Sequence, residues 1–423
     1  MKRKALYSFF KLYVLYGLFA YSYNGIASVW SYMGFPYSFD ISRLVVSLIL
    51  FTLLNVFFLK LYAENVYYQV ITYLYLLIFI PQLVFFVYNP DQSSKQLIIY
   101  LVFFTTMLIF SDKATQKLTY LKINAGNINE RKTRHIIFFL FIILLIPFLQ
   151  KIKYFTLNNF NLYLIYIERF ASRNNTDLLQ GFMDYAINPL TRVVIPVFGI
   201  YYLRKKRYLL STLLFLIIIV LFASTGGLKS MLLIVPVSLF FSKMSYKAIN
   251  NTLYSIPFVI LLLGLIEKTI IKTNLIQDIL VRRVFFLPPL LEKFYLEHYD
   301  ELLFYKYSFL KGLFGFDKSI TKEIGYYYFD NLEMNANIGL IVEGFLSLGI
   351  VGVFLHAIII AYMFRHINFQ NIESAYFGII FVMMYVVNTS FIAPFMLTHG
   401  FATLILLASF INRKQKGFKF TKP

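Results

Sequence analysis

The stretch LVRRVFFLPPLLEKFYLEHYDELL, Leu280–Leu303, combines adjacent arginines with a histidine among carboxylates. Arg282 and Arg283 carry guanidinium groups, whose paired N–H donors match phosphate oxygens better than a lysine does. An imidazole can take up and release a proton near neutral pH, so His298 beside Glu297 is a candidate general base. Glu292, Glu297 and Glu301 are its rivals for that role. The pattern therefore predicts a site that binds phosphate and accepts a proton. The alternative is that these are ordinary surface groups.

A second arginine pair, Arg169 and Arg173, lies in IERFASR, and residues four apart share one face of a helix. Lys229 follows the glycines of STGGLKSMLL, where backbone amides and a helix N-terminus would favour an anion. These groups are candidates for binding the same phosphate-bearing ligand. Alternatively, each arginine pairs with a carboxylate of its own loop, and the glycines only form a tight turn.

Three further kinds of polar residue stand at or near apolar segments: Arg192, the asparagines Asn335 and Asn337, and Glu343. An acid inside an apolar segment is costly and is by default a candidate functional group, although an interhelical hydrogen bond would also explain it. Metal-ligating and nucleotide-binding motifs are absent from the sequence. We therefore expect substrate contacts from these side chains, no metal site and no cofactor.

The elements that must position these residues are membrane helices. The chain has 423 residues, of which 59% are hydrophobic and 14% charged, and its mean hydropathy is +0.68. Apolar runs long enough to cross a bilayer recur throughout and predict an all-α, polytopic integral membrane protein. The twelve predicted spans cover roughly residues 5–23, 44–60, 67–88, 96–111, 136–150, 187–203, 208–223, 229–242, 252–267, 338–364, 372–390 and 396–411.

Twelve spans with the basic N-terminus inside place both termini in the cytoplasm. Most of the net charge of +20 then falls on the inner side, as the positive-inside rule requires, so it reports orientation rather than nucleic-acid binding. We predict one membrane domain, 1–423, with a third outer loop at 151–187. The fifth and largest outer loop, 268–337, separates spans 9 and 10, and loops this long are usually functional.

The largest loop is predicted to contain an amphipathic helix that Pro288 and Pro289 begin, because proline in a first helical turn loses no hydrogen bond. Its apolar face would comprise Leu290, Leu291, Phe294, Tyr295 and Leu302. We expect this helix to lie against the outer face of the membrane, where it would meet a ligand that is itself anchored in the bilayer.

Four stretches resemble the O-antigen polymerase (Wzy-type) and related oligosaccharide repeat-unit polymerases: IYIERFASR, STGGLKSMLL, VRRVFFLPPLLEKFYLEHYDELL and NANIGLIVEGFLSLGIVGVF. The likeness extends from about residue 135 onward and includes the twelve-span plan. A motif of an arginine, ten further residues and then a glycine, known in some members, is not met, because Gly181 lies one position too far from Arg169.

The resemblance implies a polymerase of the bacterial cytoplasmic membrane that joins oligosaccharide units carried on undecaprenyl pyrophosphate, for lipopolysaccharide or capsular polysaccharide. It implies that Arg282, Arg283, Arg169 and Arg173 hold the pyrophosphate, with Lys229 as a further cation. His298 or Glu297 would assist the acceptor hydroxyl, and loop tyrosines such as Tyr299 would stack on sugars. The expected partners are this lipid-linked oligosaccharide, the bilayer and a chain-length regulator.

Two other functions remain open on the sequence. An O-antigen ligase, or another lipid-dependent glycosyltransferase, would share the architecture and differ in its acceptor. A lipid-linked oligosaccharide flippase would also have many spans and a basic inner side, but we would expect two related halves and short outer loops. A structural assembly partner would leave the arginine pairs without a role.

Overall fold

The structure, a computed structural model, describes residues 2–60, 64–89, 94–111, 139, 141, 145, 148, 150–161, 186–224, 229–307, 319–369 and 372–411. Within these residues the chain is helical and contains no strand. The helices are α1 Lys2–Trp30, α2 Ile41–Lys60, α3 Val66–Tyr88, α4 Ser94–Ile109, α5 Ala186–Arg204, α6 Tyr208–Ser224, α7 Lys229–Phe241, α8 Tyr246–Ile271, α9 (Gln277–Phe286 and Leu287–His298), α10 Ile320–Phe329, α11 Leu340–Phe369, α12 Phe377–Val387, α13 Ile392–Met396 and α14 Phe401–Ile411.

Among the described residues, five segments are long and apolar enough to cross a membrane: Ile41–Leu59, Val66–Tyr88, Ala186–Arg204, Tyr246–Ile271 and Leu340–Asn368. Shorter apolar helices accompany them, among them Ser94–Ile109 and Tyr208–Ser224. The prediction of a helical membrane protein is therefore confirmed at this level. The predicted span at 136–150 lies almost entirely outside the described residues, and the total of twelve spans stays a prediction.

The residues group into two compact units. The first comprises Met1–Leu118, Tyr246–Tyr362 and Met384–Ala393, and the second Thr119–Ser245, Met363–Met383 and Pro394–Pro423. In the first, α1, α2, α3 and α8 pack through buried aromatic side chains, of which Phe19, Tyr23 and Phe85 are typical. In the second, α5 packs against α6, where Gly199 lets the Phe215 ring approach its backbone.

Helix α11 reverses direction near its start, although its residues are helical on either side of the reversal. Gly349 has φ +64° and ψ −148°, a conformation that only glycine adopts without strain. Gly344 lies against the backbone of Gly352, and His356 Nδ1 lies 2.6 Å from the carbonyl oxygen of Leu340. Residues 8 and 16 positions apart in a straight helix would be about 12 and 24 Å apart.

The contacts are therefore those of an antiparallel hairpin, whose short arm is residues 340–347 and whose long arm is residues 350–369. The predicted continuous span over 338–364 is wrong in this respect, because the chain turns back at Leu348 and Gly349. The long arm alone has the length to cross a bilayer. Gly344 and Gly352 bring the backbones of the two arms of this hairpin into close contact.

Helix α9 does not lie on the surface of the first unit. Its residues from Pro288 to Leu296 are all buried, including Glu292, whose exposure is 0%. Phe294 and Leu290 pack on Gly34, which has a positive φ. The prolines begin the α-helical part, as predicted, but the helix ends at His298, and Leu302 is exposed beyond it. The prediction of an amphipathic surface helix with a charged, solvent-facing side is therefore wrong, because charged residues of that side, such as Glu292, are buried as well.

Candidate functional site

The start of α9 is held by a buried carboxylate at the end of the preceding helix. Glu267 accepts hydrogen bonds from the backbone N–H groups of Leu275 and Ile276, at 2.6 and 2.7 Å, and from the hydroxyl of Thr273. The first turn of a helix has N–H groups without intrahelical partners, and this carboxylate satisfies them. Residues Gln277–Phe286 then form a π-helix, the wide form often found at functional sites.

The arginine cluster, defined as Asp278, Arg282 and Arg283, lies on this π-helix. Arg282 donates from Nε to Asp278 Oδ1 at 2.7 Å, also donates to that oxygen from Nη2, and has its guanidinium 5.1 Å from the Trp30 ring centroid. Arg283 Nη2 lies 3.8 Å from Asp278 Oδ2. The alternative drawn from the sequence, an arginine braced by a carboxylate of its own loop, describes Arg282 well.

The members of the cluster nevertheless differ in their exposure to solvent. The side chain of Arg282 is 6% exposed, whereas that of Arg283 is 39% exposed. Arg283 is therefore the group that can reach an anionic ligand, while Arg282 fixes the position of Asp278 between them.

Glu292 lies in the α-helical part of α9, where it is fully buried and surrounded by neutral hydrogen-bond donors. Its carboxylate accepts from Tyr100 Oη at 2.6 Å, from Gln82 Nε2 at 2.5 Å and from Gln96 Nε2 at 3.1 Å. Burial raises the pKa of Glu292 to about 7, while the three hydrogen bonds oppose this effect. The carboxyl group thus joins α3, α4 and α9 and changes protonation state near neutral pH.

Glu297 does not meet His298, although they are neighbours in sequence. Its carboxylate lies 3.5 Å from Lys293 Nζ, one turn earlier on the same helix, and Lys293 also lies 3.4 Å from Asn89 Oδ1. The role predicted for Glu297, as a base in place of His298, stays a prediction. Its ion pair instead covers the buried lysine.

The partner of His298 is Glu323, a residue on α10. His298 Nε2 lies 3.3 Å from Glu323 Oε1, and Tyr299 Oη donates to Glu323 Oε2 at 3.1 Å. A proton held on Nε2 by the carboxylate leaves Nδ1 as the atom that can accept a proton. Burial, with the nearby Glu323, raises the pKa of Tyr299, so this phenol stays neutral and donates. A carboxylate that orients an imidazole is the arrangement of a general base.

Aromatic rings surround this His298–Glu323 dyad and form one surface with it. The ring centroid of His298 is 4.8 Å from that of Tyr299 and 4.9 Å from that of Tyr327, whose exposure is 69%. Phe294 and Tyr328 stack below, with centroids 4.1 Å apart. Exposed tyrosine faces beside a carboxylate can bind an amphipathic ligand such as a sugar, which has apolar C–H faces and hydroxyl groups.

The arginine cluster and the dyad stand at opposite ends of α9. From Arg282 to His298 the helix advances by 16 positions, which corresponds to a separation on the order of 20 Å. A leaving group and the base for the attacking hydroxyl must both lie within a few ångströms of one carbon atom. This separation weighs against a single reaction centre that contains Arg282, Arg283 and His298, and that hypothesis stays a prediction.

The other predicted residues are placed as follows. Arg169 and Arg173 lie outside the described residues, as do residues 225–228 of the glycine turn; Lys229 begins α7, and its side chain is not described. Arg192 is buried in the second unit, where its Nη1 lies 2.6 Å from His399 Nδ1. Asn335 accepts from the hydroxyl of Thr321, and Asn337 is exposed. Neither asparagine joins the dyad through a described hydrogen bond.

Glu343 lies on the short arm of the hairpin and is fully buried. Its Oε2 accepts from the backbone N–H of Ile392, and its Oε1 has no hydrogen-bond partner among the described residues. The sequence left open a functional acid or an interhelical hydrogen bond; the bond from Ile392 fits the second alternative, and the functional role stays a prediction. No group of three or more potential metal-ligating His, Cys, Asp or Glu side chains occurs in the described part of the chain.

Sequence reasoning missed Glu323 and Asp278, the two carboxylates that orient His298 and Arg282. Asp278 stands four residues before Arg282, which is the spacing of an ion pair on a helix, so this signal was present. Glu323 is 25 residues from His298, and no local pattern joins them. A scan of protein-family models, a search of curated proteins and a search of solved structures each found no match to this chain.

Proposed function

We propose that this protein is a membrane glycosyltransferase that polymerises oligosaccharide units carried on a polyprenyl pyrophosphate, at the outer face of a bacterial cytoplasmic membrane. The observation that carries the proposal is the His298–Glu323 dyad within a surface of exposed tyrosines. A sugar hydroxyl is a poor nucleophile, and a positioned base accelerates its attack by about 10²–10⁴. The resemblance of four sequence stretches to repeat-unit polymerases supports the same class of reaction.

In the proposed reaction, a hydroxyl of the acceptor glycan binds at the dyad. As its oxygen forms a bond to the anomeric carbon of the donor, His298 Nδ1 takes the hydroxyl proton. The bond between that carbon and the donor phosphate oxygen breaks, and the lipid pyrophosphate leaves with the electron pair. Glu323 holds the Nε2 proton throughout and stabilises the imidazolium that forms. No nucleotide or redox step is needed, because the donor is already activated.

The separation of the two clusters divides the roles of the arginines. The acceptor is itself lipid-linked, so its own pyrophosphate lies several sugars away from the hydroxyl that reacts. The arginine cluster lies on the order of 20 Å from the dyad along α9, a distance that a few sugars can cover. We therefore assign Arg283, with Arg282 beside it, to the acceptor pyrophosphate. We assign no described residue to the donor pyrophosphate; Arg169 and Arg173, which lie outside the described residues, stay predictions for that role.

The membrane arrangement belongs to the same proposal: twelve spans, both termini in the cytoplasm, and α9 and α10 on the outer side. The abundance of apolar helices supports a membrane location. A ligand anchored by its lipid in the outer leaflet would approach α9 from within the plane of the membrane. Such an approach would explain why a buried helix on the outer side carries charged side chains.

The test is a strain from which the gene has been deleted, complemented with variants. We expect the deletion to leave surface glycan of a single repeat unit, and the wild-type gene to restore the ladder on a gel. His298→Ala and Glu323→Gln should each lower polymer yield by at least about tenfold. Glu333→Gln is the matched control, since that exposed carboxylate lies four residues past α10 and outside the dyad.

Other outcomes would contradict the proposal. Loss of all surface glycan, with finished polymer accumulating on its lipid at the outer face, would indicate a ligase. A normal ladder from both dyad variants, with protein levels equal to wild type, would remove the dyad from the reaction.

One observation favours a second candidate, a lipid-linked oligosaccharide flippase. The first unit contains a helix hairpin at Leu348–Gly349 and an irregular stretch between α12 and α13, and interrupted helices are typical of transporters. Accumulation of the single lipid-linked unit on the cytoplasmic side of the deletion strain would select this candidate.

A further inference from the structure

The short arm of the α11 hairpin packs against the break between α12 and α13. A Cβ added at Gly339 would lie 2.8 Å from the carbonyl oxygen of Val387 and 2.9 Å from Asn388 Cα, so the two backbones touch. One turn further along the arm, Glu343 accepts from the N–H of Ile392. Glu343 therefore faces the irregular residues 388–391.

Two oxygen atoms at this junction lack hydrogen bonds. Glu343 Oε1 and Asn388 Oδ1 are both buried and have no hydrogen-bond partner among the described residues. The exposures of the two residues are 0% and 6%. A buried acceptor left without a donor or a cation costs on the order of 1–3 kcal/mol, and a carboxylate costs more. The two oxygens belong to residues of the same junction, and a cation bound there would supply the partner that each lacks.

No basic side chain supplies that partner in the described part of the chain, where Glu343 forms no ion pair. The titratable groups near Glu343 are the phenols of Tyr305 and Tyr307 and the imidazole of His356. Tyr307 is engaged with Ser347, and Tyr305 with His356, whose other nitrogen meets the carbonyl of Leu340. Each of these three groups already has a partner of its own.

The backbone at the break adds further oxygen atoms. Helix α12 ends at Val387, and the carbonyl groups at a helix C-terminus carry partial negative charge. The N–H groups of Asn388 and Thr389 close the last turn onto Tyr385 and Val386, which leaves the following carbonyls outside the helical pattern. Carboxylate, amide and main-chain oxygens are the ligands that hard cations prefer.

We infer that Glu343, Asn388 and the backbone break at residues 388–391 form a binding site for one monovalent cation, for which sodium is the probe. A single carboxylate balances a single positive charge, which favours a monovalent ion over a divalent one. Such a site does not depend on the glycosyltransferase activity proposed above. Its ligand would hold the short hairpin arm against the break, so occupancy should stabilise the fold.

The experiment uses the full-length protein purified in detergent. We expect saturable binding of ²²Na⁺, with one ion per chain. We also expect a higher Tm in NaCl than in choline chloride at the same ionic strength. Glu343→Gln should abolish both effects, and Asn388→Ala should weaken ²²Na⁺ binding by about tenfold or more, the effect of one lost ligand.

Glu267→Gln is the matched control. Glu267 is also a buried carboxyl at the end of an apolar helix, but both of its oxygens accept hydrogen bonds, so the variant should still bind ²²Na⁺. The inference would be overturned by a wild-type protein that binds no ²²Na⁺ between pH 6 and 8.5, whether or not its stability varies with pH. Undiminished binding by Glu343→Gln, or by Asn388→Ala should the first variant fail to fold, would overturn it equally.

Discussion

Replacing Glu292 with glutamine should change how the stability of the protein depends on pH. In the folded protein, burial raises the pKa of this carboxyl from an ordinary 4.5 to about 7. Between these two values the folded state holds a proton that the unfolded state has released. Stability is then greatest below pH 4.5, falls as the pH rises, and levels off above about 7.

The size of the effect follows from the two pKa values. Each pKa unit corresponds to about 1.4 kcal/mol, so the wild type should lose on the order of 3 kcal/mol across this interval through Glu292 alone. Glutamine has nearly the same shape and cannot ionise. Its amide can accept from Tyr100 and donate to the Oε1 of Gln82, an atom without a hydrogen-bond partner among the described residues. The variant should therefore match the protonated wild type.

The assay is thermal unfolding of wild type and Glu292→Gln in the same detergent at several pH values from 5 to 8.5. All other groups titrate alike in the two proteins, so the difference between them isolates Glu292. We expect similar Tm values at pH 5 and a variant that is more stable by several degrees at pH 8.5. Glu301→Gln, at an exposed position, should show no such trend.

A constant difference between wild type and variant across this range would refute the reasoning. It would mean that Glu292 remains ionised throughout, held by its three donors against the cost of burial. A variant that is less stable than wild type at pH 8.5 would lead to the same conclusion.

Three further perturbations test other parts of the structure. Trp30 is the only tryptophan of the chain and faces Arg282, so Arg282→Lys should change its fluorescence, and pyrophosphate should change it in the wild type. Asp278→Asn should lower the free energy of unfolding by about 2 kcal/mol in denaturant titrations, because buried Arg282 loses its carboxylate. Gly349→Ala should cost about 1–2 kcal/mol in the same assay, since its φ is positive, whereas Gly17→Ala in the interior of α1 should not.

Local patterns in the sequence predicted the features of the fold that depend on neighbouring residues. The apolar runs indicated helices such as α2 and α3, and Pro288 with Pro289 located the start of the α-helical part of α9. Both signals depend on the physics of a single segment, namely hydrophobic length and the missing N–H of proline. Neither requires knowledge of what packs against the segment.

The errors concern contacts between distant segments. The helical pattern around Glu292 is that of an amphipathic surface helix, and only Gln82, Gln96 and Tyr100, about 200 residues earlier, make burial of its charged face favourable. The reversal at Gly349 lies inside an apolar run and leaves no mark on hydropathy. The distance between Arg282 and His298 can be calculated from the helical rise per residue, but only if α9 is known to continue through the proline pair.

The contacts of Glu292 also bear on how the chain is made. Its three donors lie on α3 and α4, which leave the ribosome roughly 10 to 40 s before Glu292 does, at 5–20 residues per second. During that interval, Gln82, Gln96 and Tyr100 face lipid or water without their eventual acceptor. Until α9 is synthesised, α3 and α4 therefore lack these hydrogen bonds, and a membrane chaperone can recognise this incompletely folded state. The state ends when α9 packs against them. Slowing translation between residues 110 and 277 should prolong the exposure of these helices to quality-control proteases.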